Sequence, residues 1–162
     1  MRRLVLPVLA TLALAVVVPA LAGAAKTPKK HKCSFDITGL VTTVKTLSGT
    51  PPLSGSSLNA GTVDGKLCHK KFSGAVRQAV KYPSAGKFTS RAVGFGPRGS
   101  LKAKLSGTGT LNPDGSTSFS GSGKIIGGTG IYKGATGKVS FSGTEPKGSN
   151  VATQHLAGKI RY

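Results

Sequence analysis

Apolar and polar residues alternate along most of this chain, with turn-forming residues between the alternating stretches. Beyond residue 24 no apolar stripe repeats every 3.6 residues, and Gly, Ser and Thr recur throughout; both features argue against long helices. A two-residue period bounded by Gly, Pro, Asn and Asp is typical of β-strands. The pattern predicts strands over residues 34–46, 63–70, 72–82, 86–95, 99–111, 116–126, 137–144 and 152–162. The predicted fold class is therefore all-β.

One hairpin, over residues 99–126, is predicted in detail. The apolar and glycine positions of both strands have odd numbers. For these positions to lie on the same face of the sheet, each must pair with an odd-numbered residue of the other strand, so the two numbers of a pair must add up to an even number. A three-residue loop over residues 113–115 (Pro-Asp-Gly) meets this condition and pairs Asn112 with Ser116. Pro suits a type I turn, and Gly suits the left-handed residue that follows it.

The segment from Ser48 to Gly61 (SGTPPLSGSSLNAG) is rich in Pro, Gly and Ser. This composition predicts a long loop rather than a strand. Loops of that length often act as lids or are simply mobile.

The first 24 residues have the order of segments that signal peptidase reads. Arg2 and Arg3 form a short positive region, an apolar run follows, and small residues then lead to a polar segment. The competing interpretation is a permanent membrane anchor, which needs about 20 apolar residues. Prolines inside the apolar run and the small residues after it favour cleavage. We therefore expect secretion, with no membrane span after processing.

The chain is strongly basic. Its formal net charge is +19, and removal of Arg2 and Arg3 with the signal peptide leaves +17. Such a charge favours anionic partners: wall polymers, acidic polysaccharide, lipid headgroups or nucleic acid. The alternative is a soluble surface dotted with lysines. The lysines are spread along the chain, apart from one cluster of Lys26, Lys29, Lys30 and Lys32.

Two cysteines, Cys33 and Cys68, lie in the secreted part. In an oxidising compartment an even pair indicates a disulfide, which would stabilise the fold by about 4 kcal/mol in the chain-entropy treatment. Free thiols and a metal site with His31 and His69 are the alternatives. Adjacent residues on a strand point to opposite faces, which disfavours a shared site for Cys68 and His69. We predict the disulfide, and no metal or cofactor.

Residues 125–137 (IIGGTGIYKGATG) resemble a signature of the allene oxide cyclase/dirigent-like barrel superfamily. The resemblance implies an eight-stranded antiparallel, calycin-like β-barrel around a central cavity, and a homodimer or homotrimer. It covers about a quarter of the secreted chain, and no functional residue of the family is carried over. The resemblance assigns a structural turn to Gly127, Gly128, Thr129, Gly130, Tyr132 and Gly134. The predicted domains are a signal peptide (1–24), a flexible basic tail (25–33) and the barrel (34–162).

The same glycine-rich turn differs from a phosphate cradle. A dinucleotide fingerprint needs the spacing G-x-G-x-x-G and a helix after it. Here the next glycine comes one residue late and the chain returns to a strand.

Glycines on the inward-facing positions indicate a barrel interior that side chains do not fill. An unfilled, mostly apolar interior is typical of a small-molecule site. We predict that a small apolar ligand is bound or sequestered there. The predicted lining is Leu101, Ala103, Leu105, Phe119, Ile125 and Phe141. The alternative function is association with the cell wall or matrix through binding of anionic polymers to the basic surface.

An enzyme with cyclase- or dirigent-like activity is the third and weakest hypothesis, because the chain has only four acids. Asp114 is assigned to a turn and Glu145 to a loop. Asp36 and Asp64 lie in or beside predicted strands, and burial would make them candidates for catalysis. For both acids a surface or turn-capping role is the favoured alternative. We assign no catalytic residue.

Overall fold

A computed structural model describes residues 30–50 and 54–162. The predicted signal peptide and most of the predicted basic tail lie outside the described residues. The strands are β1 (Lys32–Ser48), β2 (Gly55–Leu67), β3 (Lys70–Ser84), β4 (Lys87–Gly96), β5 (Gly99–Leu111), β6 (Thr117–Gly128), β7 (Thr136–Glu145) and β8 (Val151–Arg161). A single 3₁₀ turn, Gly130–Tyr132, lies between β6 and β7.

The eight strands form a closed antiparallel barrel. Each strand pairs with the next along the chain, and β8 pairs with β1 to complete the cylinder. The predictions of an all-β fold and of an eight-stranded antiparallel barrel are therefore confirmed. Within the described residues, no helix has the length and apolar character needed to span a membrane.

The hairpin of β5 and β6 has the predicted loop, and the predicted register from Leu111–Thr117 to Ala103–Ile125; a bulge between Lys102 and Ala103 shifts the pairing beyond that point. The Asn112 amide donates to the Ser116 carbonyl at 2.8 Å, and the Gly115 amide donates to the Asn112 carbonyl at 2.9 Å. Gly115 has a φ of 82°, the left-handed conformation expected for it. Gly109 faces Phe119 across the pair, as the parity argument requires.

The loop predicted from Ser48 to Gly61 is wrong over most of its length, because β2 begins at Gly55. Pairing with β1 on one side and β3 on the other supplies the backbone hydrogen bonds of this segment. Such two-sided pairing overrides a weak intrinsic strand propensity. Position 61 requires glycine, because a Cβ atom there would collide with the Leu40 carbonyl oxygen on β1.

The β2–β3 connection is a tight turn of two residues, Cys68 and His69, whereas the pattern predicted strand over residues 63–70 and a break at residue 71. Their φ values are 56° and 63°, which are typical of a type I′ hairpin turn. Cys68 is joined to Cys33 on β1, with 5.1 Å between the Cα atoms. The predicted disulfide is therefore confirmed.

One end of the barrel, which we call the closed end, is filled by side chains. Tyr132, Leu67 and Ile160 are each only 1% exposed there. The Tyr132 ring packs edge-on against Tyr162 at 5.1 Å between centroids. The Cys33–Cys68 disulfide lies at the same end.

The glycine-rich turn forms part of this closed end. The Thr129 amide donates to the Ser100 carbonyl at 2.9 Å, and the Ile131 amide donates to the Arg98 carbonyl at 3.1 Å. Gly130 and Gly134 have φ values of 59° and 73°, so the turn uses glycine where the backbone is left-handed. The turn thus joins β6 to β7 and carries Tyr132 into the barrel.

Candidate functional site

The lumen above the closed end contains two adjoining cavities that share part of their walls. The first, which we call the narrow chamber, has a volume of about 90 Å³ and an almost wholly apolar wall. Even one water needs only about 10–15 Å³ by such a measure, so the space is not filled by side chains. Its wall includes Phe35, Ile37, Val63, Phe72, Val76 and Ala92.

The second cavity, the wide chamber, has a volume of about 180 Å³ and lies toward the other end of the barrel. Its wall combines aromatic rings with polar groups. Thr43 on this wall is exposed, and Asn59 and Glu145 are partly exposed, so the chamber reaches solvent. We call this the open end.

Two glutamines mark the boundary between the chambers. Gln78 on β3 donates from Nε2 to Oε1 of Gln154 on β8 at 3.0 Å. Both side chains, together with Leu105, line both chambers. The hydrogen bond crosses the lumen between strands that are not neighbours in the sheet, since β1 and β2 lie between them.

A serine on the wall of the wide chamber has a buried hydroxyl without a partner. Ser90 is 6% exposed, and its Oγ makes no hydrogen bond within the part of the chain that the structure describes. Ser57 on the same side of the lumen differs, because its Oγ donates to Asn59 Oδ1 at 3.0 Å. A buried, unpaired hydroxyl costs about 1–3 kcal/mol, so Ser90 is a group that a ligand can satisfy.

Aromatic rings form the rest of the wide chamber. The Phe88 ring lies edge-on to Phe119, with 6.4 Å between the ring centroids, and tilted against Phe141 at 5.8 Å. Aromatic pairs favour such arrangements. The Phe119 ring rests against Gly143 on β7 rather than against Gly109, the residue opposite it on β5. Glycines on the inward positions thus make room for the rings.

The open end carries the acid of the lumen. Partial burial raises the pKa of the Glu145 carboxyl. Burial also raises the pKa of the Tyr82 hydroxyl, with the nearby Ser57 hydroxyl acting in the opposite direction and the Glu145 charge adding to the rise. Neither chamber wall includes a Lys, Arg or His among the described residues.

The predicted lining residues all face the lumen. Leu101, Ala103 and Ile125 lie on the narrow chamber, and Leu105 lies on both chambers. Phe119 and Phe141 lie on the wide chamber. The polar groups of the site, Gln78, Ser90, Glu145 and Gln154, were not predicted, although each occupies the inward parity of its strand.

Asp36 and Asp64 lie on the surface, as the favoured surface alternative expected, whereas the expected loop position of Glu145 is wrong. Asp36 lies on the outer surface with its side chain 70% exposed, and Oδ1 contacts His155 Nε2 at 2.9 Å. Asp64 is also exposed on the outer face of β2. Glu145 is not in a loop but ends β7, facing the wide chamber. The acid to examine in the lumen is therefore Glu145.

Asp114 lies in the turn that was predicted for it. Its Oδ1 accepts hydrogen bonds from the Ser116 hydroxyl at 2.7 Å and the Ser116 amide at 2.8 Å. These bonds lower the pKa of the Asp114 carboxyl.

Within residues 30–50 and 54–162, no group of three or more His, Cys, Asp and Glu side chains is placed to hold a metal ion. A scan against protein-family models, a search of curated proteins and a search of solved structures each found no match to this chain.

Proposed function

We propose that the barrel binds a small, neutral, mainly apolar molecule in its lumen. The observation that carries the proposal is the unfilled apolar narrow chamber, which adjoins a wide chamber that contains an unpaired buried hydroxyl at Ser90. Cavities with apolar walls and a few polar groups are typical small-molecule sites.

The apolar part of the ligand is proposed to occupy the narrow chamber. Removing apolar surface from water contributes about 25 cal/mol per Å², and this wall offers almost no competing polar surface. The small volumes favour a slender molecule, such as a single ring or a short chain, over a large one.

The polar group of the ligand is proposed to lie beside Ser90, Gln78 and Gln154. These side chains both donate and accept hydrogen bonds, which suits an alcohol, phenol or carbonyl group. A carboxylate is disfavoured, because Glu145 supplies negative charge at the open end and no cation lines the described walls. A buried charge without a partner is costly.

The proposed location is extracellular. The Cys33–Cys68 disulfide supports an oxidising compartment. The predicted signal peptide over residues 1–24 supports export.

The assignment to the allene oxide cyclase/dirigent-like superfamily is also a proposal. Its support is the order of the eight strands around the barrel and the turn over residues 127–134, which lies after β6 at the closed end. Catalysis is not part of the proposed function.

Isothermal titration calorimetry with the neutral single-ring phenol p-cresol tests the proposal. We expect saturable binding that Ala92→Phe abolishes, since the new ring would fill the narrow chamber. Ala79→Phe on the outer face of β3 is the control and is expected to leave binding unchanged. Native mass spectrometry of protein purified gently from culture medium is expected to find a co-purified neutral molecule. Absence of both saturable binding and a co-purified molecule would overturn the proposal.

A further inference from the structure

Five cations lie opposite one another across five neighbouring strands on the outside of the barrel. The register pairs Arg91 with Lys104, Lys104 with Lys124, Lys124 with Lys138, and Lys138 with Lys159. All five side chains are exposed. Because neighbouring strands lie about 4.8 Å apart, the row presents one positive charge about every 5 Å around the barrel. We call these five residues the cationic row.

Among the described residues, no outward-facing acid lies on β4 to β8 beside the row: Asp64 lies on β2, Asp114 lies in the β5–β6 loop, and Glu145 faces the lumen. Asp36 on β1 is diagonal to Lys159, the β8 end of the row, because Lys159 pairs with Ser34. Like charges directly opposite each other on a sheet destabilise it. From Arg91 to Lys138 the row therefore holds an uncompensated positive potential that an external anion can neutralise.

The other side of the barrel is different. On β1, β2 and β3, Lys66 and Lys71 form an opposed pair of cations. Lys66 has Asp36 as its opposite neighbour on β1, so this pair is compensated by an acid. The uninterrupted row is thus a local feature of β4 to β8 and does not follow from the net charge alone.

A line of hydroxyl groups runs beside the cationic row on β4 to β7, displaced by two residues on each strand toward the open end. Thr89 faces Ser106, Ser106 faces Ser122, and Ser122 faces Ser140. Hydroxyls both donate and accept hydrogen bonds, as sugar hydroxyls do. We call these four residues the hydroxyl row.

The surface under the two rows is not smooth. One shallow depression includes Arg91, Lys104 and Lys124 together with three members of the hydroxyl row. A second depression, over β7 and β8, includes Lys138 and Lys159. A flexible chain lying across the strands would follow both depressions.

Aromatic side chains are missing from both rows. Proteins that bind single-stranded nucleic acid commonly stack bases on aromatic rings. Phe95 is an exposed ring on β4, but it lies four residues from Arg91, toward the closed end. Charge without stacking, next to hydroxyls, favours an acidic polysaccharide over a nucleic acid.

We propose that the cationic row and the hydroxyl row together bind a linear acidic polysaccharide that crosses β4 to β8. Its carboxylates would contact the ammonium and guanidinium groups, and its sugar hydroxyls would hydrogen-bond to the hydroxyl row. This surface is independent of the lumen.

The test uses a fluorescently labelled oligogalacturonate and the full secreted chain. The row variant K104Q/K124Q/K138Q is compared with the control variant K45Q/K71Q/K147Q, which loses the same charge from exposed lysines outside the row. We expect the row variant to lose at least tenfold in affinity and the control less than about twofold. The slope of log K against log salt is expected to become shallower by about two to three in the row variant only.

Three results would overturn the proposal: no binding by the wild-type chain, equal weakening in both variants, or tighter binding of a single-stranded oligonucleotide of the same charge. Circular dichroism and thermal unfolding establish that the variants fold, and the single variant K124Q serves if the triple variant does not. Titration of the lumen with p-cresol should be unchanged in the row variant. A failure of this surface is therefore distinguishable from a failure of the lumen.

Discussion

At the scale of single residues, the polar groups of the lumen distinguish it from an ordinary packed core. A core of this size needs no buried hydroxyl, yet Ser90 holds one without a partner among the described residues. Gln78 and Gln154 satisfy each other across the lumen. These three positions make the chemistry of the cavity specific rather than merely apolar.

Ser90→Ala is expected to raise the stability of the ligand-free protein by up to about 1 kcal/mol, because it removes an unpaired buried hydroxyl. Ser57→Ala is the control and should lower stability by about 1 kcal/mol, because Ser57 has a hydrogen bond to Asn59. Urea unfolding measures both. A loss of more than about 1 kcal/mol in Ser90→Ala would mean that the hydroxyl is already satisfied.

Glu145 makes stability depend on pH. Because burial raises its pKa in the folded state, the folded chain holds the proton more tightly than the unfolded chain. The resulting stabilisation is complete below the unfolded pKa and is lost as the pH rises through the folded pKa. Glu145→Gln is therefore expected to melt at a higher temperature than wild type at pH 7, with a smaller difference at pH 4.

The matched control is Asp64→Asn, an exposed acid on the outer face. Melting curves between pH 4 and pH 7 should show no comparable pH-dependent gain for this control. A Glu145→Gln curve parallel to wild type over the same range would contradict the assignment of Glu145 to a partly buried site.

At the scale of elements, the sequence predicts strands best where apolar alternation and turn chemistry agree. The β5–β6 hairpin has both, and its loop and its register as far as Ala103–Ile125 were predicted; the bulge between Lys102 and Ala103 was not. The first half of β2 has neither, since its inward positions are Ser57, Asn59 and Gly61. Its pairing with two neighbouring strands is a property of the closed barrel, which a local pattern does not contain.

The β2–β3 turn is also invisible to local pattern, because Cys68 and His69 are not residues that type I′ turns favour. His69→Gly is expected to stabilise the protein by about 0.5–1 kcal/mol, since glycine adopts positive φ without steric cost. Lys70→Gly, on the adjacent strand, is the control and should destabilise by a similar amount. Chemical denaturation of both variants checks this, and destabilisation by His69→Gly would contradict it.

At the scale of the whole molecule, the barrel separates a mainly apolar interior from a cationic exterior. Among the described residues, the acid of the interior is Glu145, at the open end. The predicted lining residues lie on the lumen because inward parity is fixed by the two-residue period. The polar residues of the site also lie at inward positions of their strands. However, a polar residue type does not by itself show whether a position faces the lumen or the solvent. Which polar side chains meet across the lumen, as Gln78 and Gln154 do, depends on the closure of the sheet.

The exterior charge predicts a salt-dependent stability. Raising NaCl from about 10 mM to about 150 mM shortens the Debye length from about 30 Å to about 8 Å and screens repulsion. We expect the melting temperature of the wild-type chain to rise over this range. Lys124→Gln, which removes the middle of the cationic row, should melt higher than wild type at low salt, with a smaller gain at high salt.

Lys45→Gln is the control for that comparison, because Lys45 faces Leu58 rather than another cation. It should change the melting temperature less than Lys124→Gln does at low salt. Equal gains in the two variants would mean that net charge alone, and not the opposed register, sets the repulsion.

A crystal of the protein under xenon pressure is the decisive test of the unfilled lumen, since xenon enters apolar cavities that are not filled by side chains. We expect a xenon atom, or density for a co-purified ligand, in the narrow chamber between Phe35, Val76 and Ala92. A lumen filled by side chains, with neither xenon nor ligand density, would contradict this expectation.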